Sequence, residues 1–177
     1  FVTTPTVTVD AAVVKIETTI ENDADGTPAF VLRSDIRLGT AVVASNGMTS
    51  NIGAHGRQTV MQTLTIPKPA RWDIDSPTLY TLHQRLEPSK TSGFIDEVDT
   101  PFGVRSTRFD PQKGFFLNDQ PIKLKGVCVH HDAGSLGAAV PGAVWESRLR
   151  ALKALGVNAI RTSHNPPAAE FLDVCDR

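Results

Sequence analysis

The chain has 177 residues, room for one large domain or one ordinary domain with part of another. Hydrophobic residues make up 40% and charged residues 21%, a globular balance that excludes a disordered tail, a collagen-like repeat and a coiled coil. Lys and Arg number 18 against 19 acids, and a net charge of -1 points to neither nucleic acid nor an anionic membrane.

Phe1-Val2-Thr3-Thr4-Pro5 lacks the basic start and apolar core of a signal peptide. The missing initiator Met is read as the trace of a longer precursor, and the compartment stays open between periplasm, secretion and cytoplasm. No apolar run reaches the ~18 residues that a membrane span needs. Residues 1–108 read as all-β. Val14, Ile16, Thr18 and Ile20 alternate with Lys15, Glu17 and Thr19, the period of a half-buried strand. Phe30, Leu32, Ile36 and Leu38 repeat the pattern. Further strands are expected at Ala41–Ser45, Arg57–Ile66, Leu79–Leu86 and Ile95–Thr107. Turn signals separate them at residues 22–26, at Ser45-Asn46-Gly47 and at Pro67-Lys68-Pro69. Short strands at this spacing predict an immunoglobulin-like antiparallel β-sandwich with Trp72 in its core.

After residue 108 the pattern changes. Gly114–Leu117 and Pro121–Lys125 flank Asn118-Asp119-Gln120, a small hairpin. The apolar run Gly126–Val129 ends in His130-His131-Asp132. Beyond a Gly/Ala-rich loop, Trp145, Leu149, Leu152 and Leu155 share one helical face, and Gly156 stops that helix. Val157–Arg161 is a second buried strand, and Pro167 suits the first turn of a second helix through Phe171, Leu172 and Cys175. Strand–helix–strand–helix means parallel pairing. A (β/α)8 barrel takes ~250 residues, far more than follow residue 108. The expected fold is therefore mostly β: a sandwich over residues 1–108, then the first two βα units of a truncated barrel over 109–177. The open barrel edge predicts that residues 109–177 pack on the sandwich, associate with another copy or are mobile.

Arg71-Trp72-Asp73-Ile74-Asp75-Ser76-Pro77-Thr78-Leu79-Tyr80 resembles the sandwich signature of glycoside hydrolase family 2. Phe102-Gly103-Val104-Arg105 leading to Gly114-Phe115-Phe116-Leu117-Asn118 resembles that family's sandwich–barrel junction. Lys125-Gly126-Val127 with His130-His131-Asp132 is similar to its first barrel strand, and Leu155–Pro166 to its second. The His-His-Asp-Ala-Gly loop at His130–Gly134 resembles β-galactosidases more than β-glucuronidases.

The resemblance implies a retaining β-glycosidase acting on a carbohydrate, most closely a β-galactoside. Such enzymes use two carboxyl groups ~5 Å apart, one the nucleophile and one the acid/base. The only glutamates after residue 110 are Glu146 and Glu170, both on expected helices. Site groups in this fold project from strand ends, where only Asp132 is acidic. The family implies that both catalytic glutamates lie beyond residue 177, so no catalytic residue is assigned here and the 177 residues alone are expected to be inactive.

Substrate binding is assigned to His131, Asp132, Arg161, His164 and Asn165. By resemblance, Arg161 stands beside the nucleophile carboxylate, and His164 lines the subsite for the cleaved sugar. Asn165 departs from the Tyr common there. Adjacent His130 and His131 point to opposite sides of a strand, so at most one faces the site. The bland readings are an ion pair for Arg161 and a turn for His164 and Asn165. No metal ligand is assigned, because the histidines lack chelating spacing. Relatives admit a magnesium or sodium ion, but no cofactor is expected here. Ser163-His164 lacks a nucleophile elbow. Cys128 and Cys175 are expected as small buried hydrophobes. The rival class is a non-catalytic carbohydrate-binding or structural sandwich module.

Overall fold

The computed structural model describes every residue except Ser92 and Phe94. Seven strands form the first compact unit, Phe1–Trp72 with Thr78–Ser106. They are β1 (Val2–Val7), β2 (Ala11–Glu21), β3 (Ala29–Leu38), β4 (Ala41–Asn51), β5 (Arg57–Pro67), β6 (Leu79–Pro88) and β7 (Asp96–Gly103). Antiparallel pairing arranges them in two sheets, ordered β1-β2-β5 and β4-β3-β6-β7. The fold is an immunoglobulin-like sandwich.

Alternation decides which side chains enter the core. Val14 and Ile16 of β2 and Ile66 of β5 meet Ile36 of β3 and Tyr80 and Leu82 of β6 in one cluster. Ile20, Phe30, Leu32, Ile52 and Val60 form another. Polar residues are also buried within the sandwich. Ser34 Oγ donates to Gln62 Oε1 at 2.6 Å, and Gln84 Nε2 donates to Ser34 Oγ at 3.0 Å and to Thr18 Oγ1 at 2.8 Å. These bonds tie strands of both sheets and satisfy Ser34 Oγ, Gln62 Oε1 and Gln84 Nε2, while Gln62 Nε2 is left without a hydrogen-bond partner among the described residues.

Several expectations need correction. Ser45-Asn46-Gly47 is no turn: β4 runs straight through it, with Gly47 opposite Arg33. The reversal is made instead at Gly39, whose φ of +59° suits a residue without Cβ. β1 was not expected at all. It is an edge strand with an irregularity between Thr3 and Thr6, where Pro5 needs no ladder partner. Finally, Ile95–Thr107 is not one strand, since β7 ends at Gly103 and Thr107 opens a separate sheet. Trp72 is half-buried, with Gly103 against its ring and the Arg105 guanidinium 4.6 Å from the ring centroid.

The second unit comprises Asp73–Pro77 and Thr107–Arg177. β8 (Thr107–Asp110), β9 (Gly114–Leu117) and β10 (Gln120–Pro121) make a small antiparallel sheet. Asn118 and Asp119, with φ of +51° and +68°, form its second reversal, as a primed two-residue turn requires. Asn118 Nδ2 reaches Asp73 Oδ2 at 3.4 Å, and Lys153 Nζ donates to the Ile74 carbonyl at 3.1 Å, which ties residues 73–77 into this unit.

β11 (Gly126–Val129), α1 (Gly142–Ala154), β12 (Ala159–Thr162) and α2 (Ala169–Cys175) follow as two βα units. This is the start of a TIM barrel. Gly156, at φ +86°, ends α1 as its sequence position required. Pro167 does not open α2, because the helix begins two residues later with Ala168 as its cap. Trp145 of α1 is buried edge-on against Phe171 of α2, with centroids 5.0 Å apart at 82°.

Leu82 is 1% exposed, so Leu82→Ala should cost about 2–5 kcal/mol in urea unfolding. Met61→Ala, at a 60% exposed position, should stay within about 0.5 kcal/mol. A second expectation concerns the β8–β9 turn. The Asp110 carboxylate accepts the backbone N–H groups of Gln112 and Lys113, each at 2.9 Å, and Arg108 lies 3.2 Å away. The backbone bonds, Gln112 first, hold its pKa below the ordinary Asp value. Its contribution is therefore complete above that ordinary value and fades as pH falls through the lowered one. Asp110→Asn should flatten the acid limb of the stability-versus-pH curve; an unchanged limb would exclude this group.

Candidate functional site

β11 and β12 run parallel, with Gly126 opposite Ala159, Val127 opposite Ile160, Cys128 opposite Arg161 and Val129 opposite Thr162. Opposed residues share a face, so Cys128 and Arg161 stand together and Val129 and Thr162 stand on the reverse. The ladder extends one residue further, as Ser163 N–H donates to the Val129 carbonyl at 3.0 Å.

Beyond the strand ends the chain brings two groups together. On the first face, Arg161 Nη1 lies 3.9 Å from Cys128 Sγ, and its Nη2 lies 3.4 Å from His164 Nδ1. The His164 ring meets His130 edge-on, with centroids 6.2 Å apart. On the helix side, Val129, Thr162, Trp145 and Phe171 line a shallow depression to which His130, His131 and Asn165 contribute, so His130 borders both groups. Asp132 belongs to neither group. It is exposed, and its backbone carbonyl accepts Arg148 Nη1 at 2.5 Å.

Of the expected site residues, Arg161 and His164 thus touch each other. His131 and Asn165 lie along the depression, and Asp132 lies outside both groups. The residues that join Arg161 and His164 without having been assigned to substrate binding are His130 and Cys128. The signal for His130 was in the sequence: it sits two residues after Cys128, which places both on one side of an extended chain.

The first group is rich in potential cations and lacks an acid. Among the described residues Arg161 has no carboxylate partner. Neither β11 nor β12 contains an acidic residue. Glu146 lies on α1, paired with Arg150 at 2.6 Å, and Glu170 lies on α2. Among the described residues no three His, Cys, Asp or Glu side chains are placed to share a metal ion.

Both cysteines are exposed, against the expectation that they are buried. Cys128 falls on the strand face that the helices leave uncovered, and Cys175 ends α2. Nearby protein still pushes the Cys175 thiol above its ordinary pKa through desolvation, with the Asp176 charge adding to it.

Residues 1–105 match the family model for glycosyl hydrolases family 2, and residues 111–177 match the TIM barrel domain of the same family. The chain belongs to glycosyl hydrolases family 2. Beta-galactosidase BoGH2A of Bacteroides ovatus is 40% identical over 178 residues, covering 100% of this chain and 21% of that protein. A beta-glucuronidase of Bacteroides fragilis is 34% identical over 156 residues, covering 87% of this chain and 22% of that protein. Among solved structures, a family 2 member from Bacteroides cellulosilyticus superposes with TM-score 0.93 at 36% identity, over 100% of this chain and 24% of its own. Bacteroides uniformis beta-glucuronidase 2, bound covalently to cyclophellitol-6-carboxylate aziridine, gives TM-score 0.94 at 29% identity, over 100% of this chain and 21% of its own. The family 2 chain therefore spans about a fifth of the length of these relatives.

Alkylation requires thiolate, so a raised pKa slows it. With limiting iodoacetamide at pH 8, Cys128 should be labelled ahead of Cys175, as read by peptide mass. Faster labelling of Cys175 would contradict the raised thiol.

Proposed function

We propose that these residues form part of a retaining β-glycosidase whose preferred substrate is a β-galactoside. Retention needs a nucleophilic carboxylate and an acid/base carboxyl group ~5–5.5 Å apart. Asp132 is the only acid that follows either strand end closely, it lies outside both groups, and one carboxylate cannot fill both roles, so in this reading the pair is supplied by other strands. What this chain contributes is the setting for the nucleophile. The observation that carries the reading is Arg161, held at a strand end against His164 with no carboxylate partner among the described residues.

A guanidinium in that place keeps an approaching carboxylate ionised and aims one oxygen lone pair, by charge-assisted hydrogen bonds. It supplies no proton, since it stays charged at working pH. The His164 imidazole can donate to or accept from a sugar hydroxyl beside it. His130 beside it offers a second imidazole, and His131 and Asn165 along the adjoining depression offer further donors and acceptors of the kind ring hydroxyls need, whereas Asp132 stands outside both groups.

The galactoside is favoured by the relative named a beta-galactosidase, which aligns over 100% of this chain at 40% identity. The glucuronide is the second reading. Relatives named beta-glucuronidase align too, and a cationic group without an acid would also receive a sugar carboxylate.

The chain of 177 residues should show no turnover of 4-nitrophenyl β-galactoside. A version extended to the length of the relatives should turn it over and should carry a Glu at the ends of two later strands. In that longer enzyme, Arg161→Gln should lower kcat about 10- to 100-fold, the worth of one charge-assisted bond. Turnover by the 177 residues after repurification would overturn the division of labour. A preference for the glucuronide would overturn the sugar.

A further inference from the structure

Residues 122–125, just before β11, belong to no strand. Ile122 N–H nevertheless donates to the Phe115 carbonyl at 2.9 Å, and the bonds that hold Lys123 and Lys125 all go to one residue, Asn158. Lys125 N–H donates to Asn158 Oδ1 at 2.7 Å. Asn158 Nδ2 donates to the Lys123 carbonyl at 3.1 Å. The Asn158 backbone N–H donates to the Lys125 carbonyl at 3.0 Å.

A carboxamide carries the same donor and acceptor as a peptide group. Asn158 therefore extends the parallel ladder backwards with its side chain, one step before Gly126 meets Ala159. The ladder needs that extension. It pairs only four residues of each strand, and parallel pairing is the weaker kind per residue. A slip of one residue would turn Arg161 to the helix face and separate it from Cys128.

We infer that Asn158 is a positioning residue for the Arg161–His164 pair: its side chain sets the register of β11 against β12. The inference rests on the glycosidase reading only for what the pair is used for, not for how it is placed. Side-chain chemistry fits Asn to the task, since it uses both its acceptor and its donor. Leu has the shape without either hydrogen bond, and Asp keeps the acceptor for Lys125 but loses the donor for Lys123.

The test is NMR on the 177-residue chain. The wild type should show slow amide exchange at Lys125, a protected Asn158 side-chain amide, and cross-strand contacts between Cys128 and Arg161. Asn158→Leu should speed Lys125 exchange at least about tenfold and remove or shift the Cys128–Arg161 contacts, while sandwich amides such as Leu82 stay as they were. Asn158→Asp should keep Lys125 protected and the register intact. If Asn158→Leu unfolds the second unit, an Asn158→Asp variant with wild-type contacts still supports the clamp, and one that unfolds equally overturns it. Wild-type Cys128–Arg161 contacts in Asn158→Leu also overturn it. None of these results bears on turnover, so the glycosidase reading stands or falls by its own assay.

Discussion

One register, between two strands of four residues each, governs the candidate site. With Cys128 opposite Arg161, the guanidinium stands on the face that the helices leave open. Slide β12 by a single residue and the same guanidinium turns to the side of Trp145 and Phe171, an aromatic surface that gives a charge no partner of opposite sign. The reverse face is filled by that aromatic pair, with Val129 and Thr162 beside it. Apolar packing on one side and a charged group on the other are thus two consequences of one alignment. The packing also makes the alignment hard to leave, since slippage would bury Arg161 and expose apolar strand residues.

Where the sequence was a good guide, the reason is periodicity. β2, β3, β5 and β6 each alternate cleanly because one face packs on the opposite sheet and the other meets water. β1 had no such record: it is a Thr-rich edge strand with Pro5 in it, and its few inward residues do not form a pattern. Asn46-Gly47 misled for a related reason. The pair is the strongest short turn signal, but a strand whose outer face is exposed tolerates it, and Gly39 had already made the reversal. In the site, alternation led to the expectation that at most one of His130 and His131 faces it, but the strand ends at Val129 and both line the depression. Which of them joins Arg161 depended on which face the helices cover, and that is a property of α1 and α2 packing together, not of the strand. The same missing knowledge hid the exposure of Cys128.

The charge balance of the second unit has a logic of its own. Glu146 is neutralised by Arg150 one turn along α1, an exposed pair of small energetic consequence. Among the described residues Arg161 has no such counterweight, and at an exposed position it needs none, because water solvates it. Enclosing it would change that. A guanidinium withdrawn from water demands an anion, so any structure that closes over this strand end must bring a carboxylate or exclude Arg161 from the closure. The arrangement is consistent with a group that acts on an anion rather than one that steadies the fold.

His164 shows how the chain bends to complete the pair. Its φ is +65°, a conformation that non-glycine residues adopt at a cost of about 1–3 kcal/mol when held there. The neighbours leave little choice. Ser163 is fixed into the ladder by its bond to Val129, and Asn165 is kept extended by the proline that follows it. The reversal between them must fall on His164, a residue type that tolerates the left-handed region better than most. Turned back in this way, the imidazole comes within 3.4 Å of Arg161 rather than continuing away along the strand direction. The backbone strain and the imidazole–guanidinium contact are therefore one feature, and relaxing the first would remove the second.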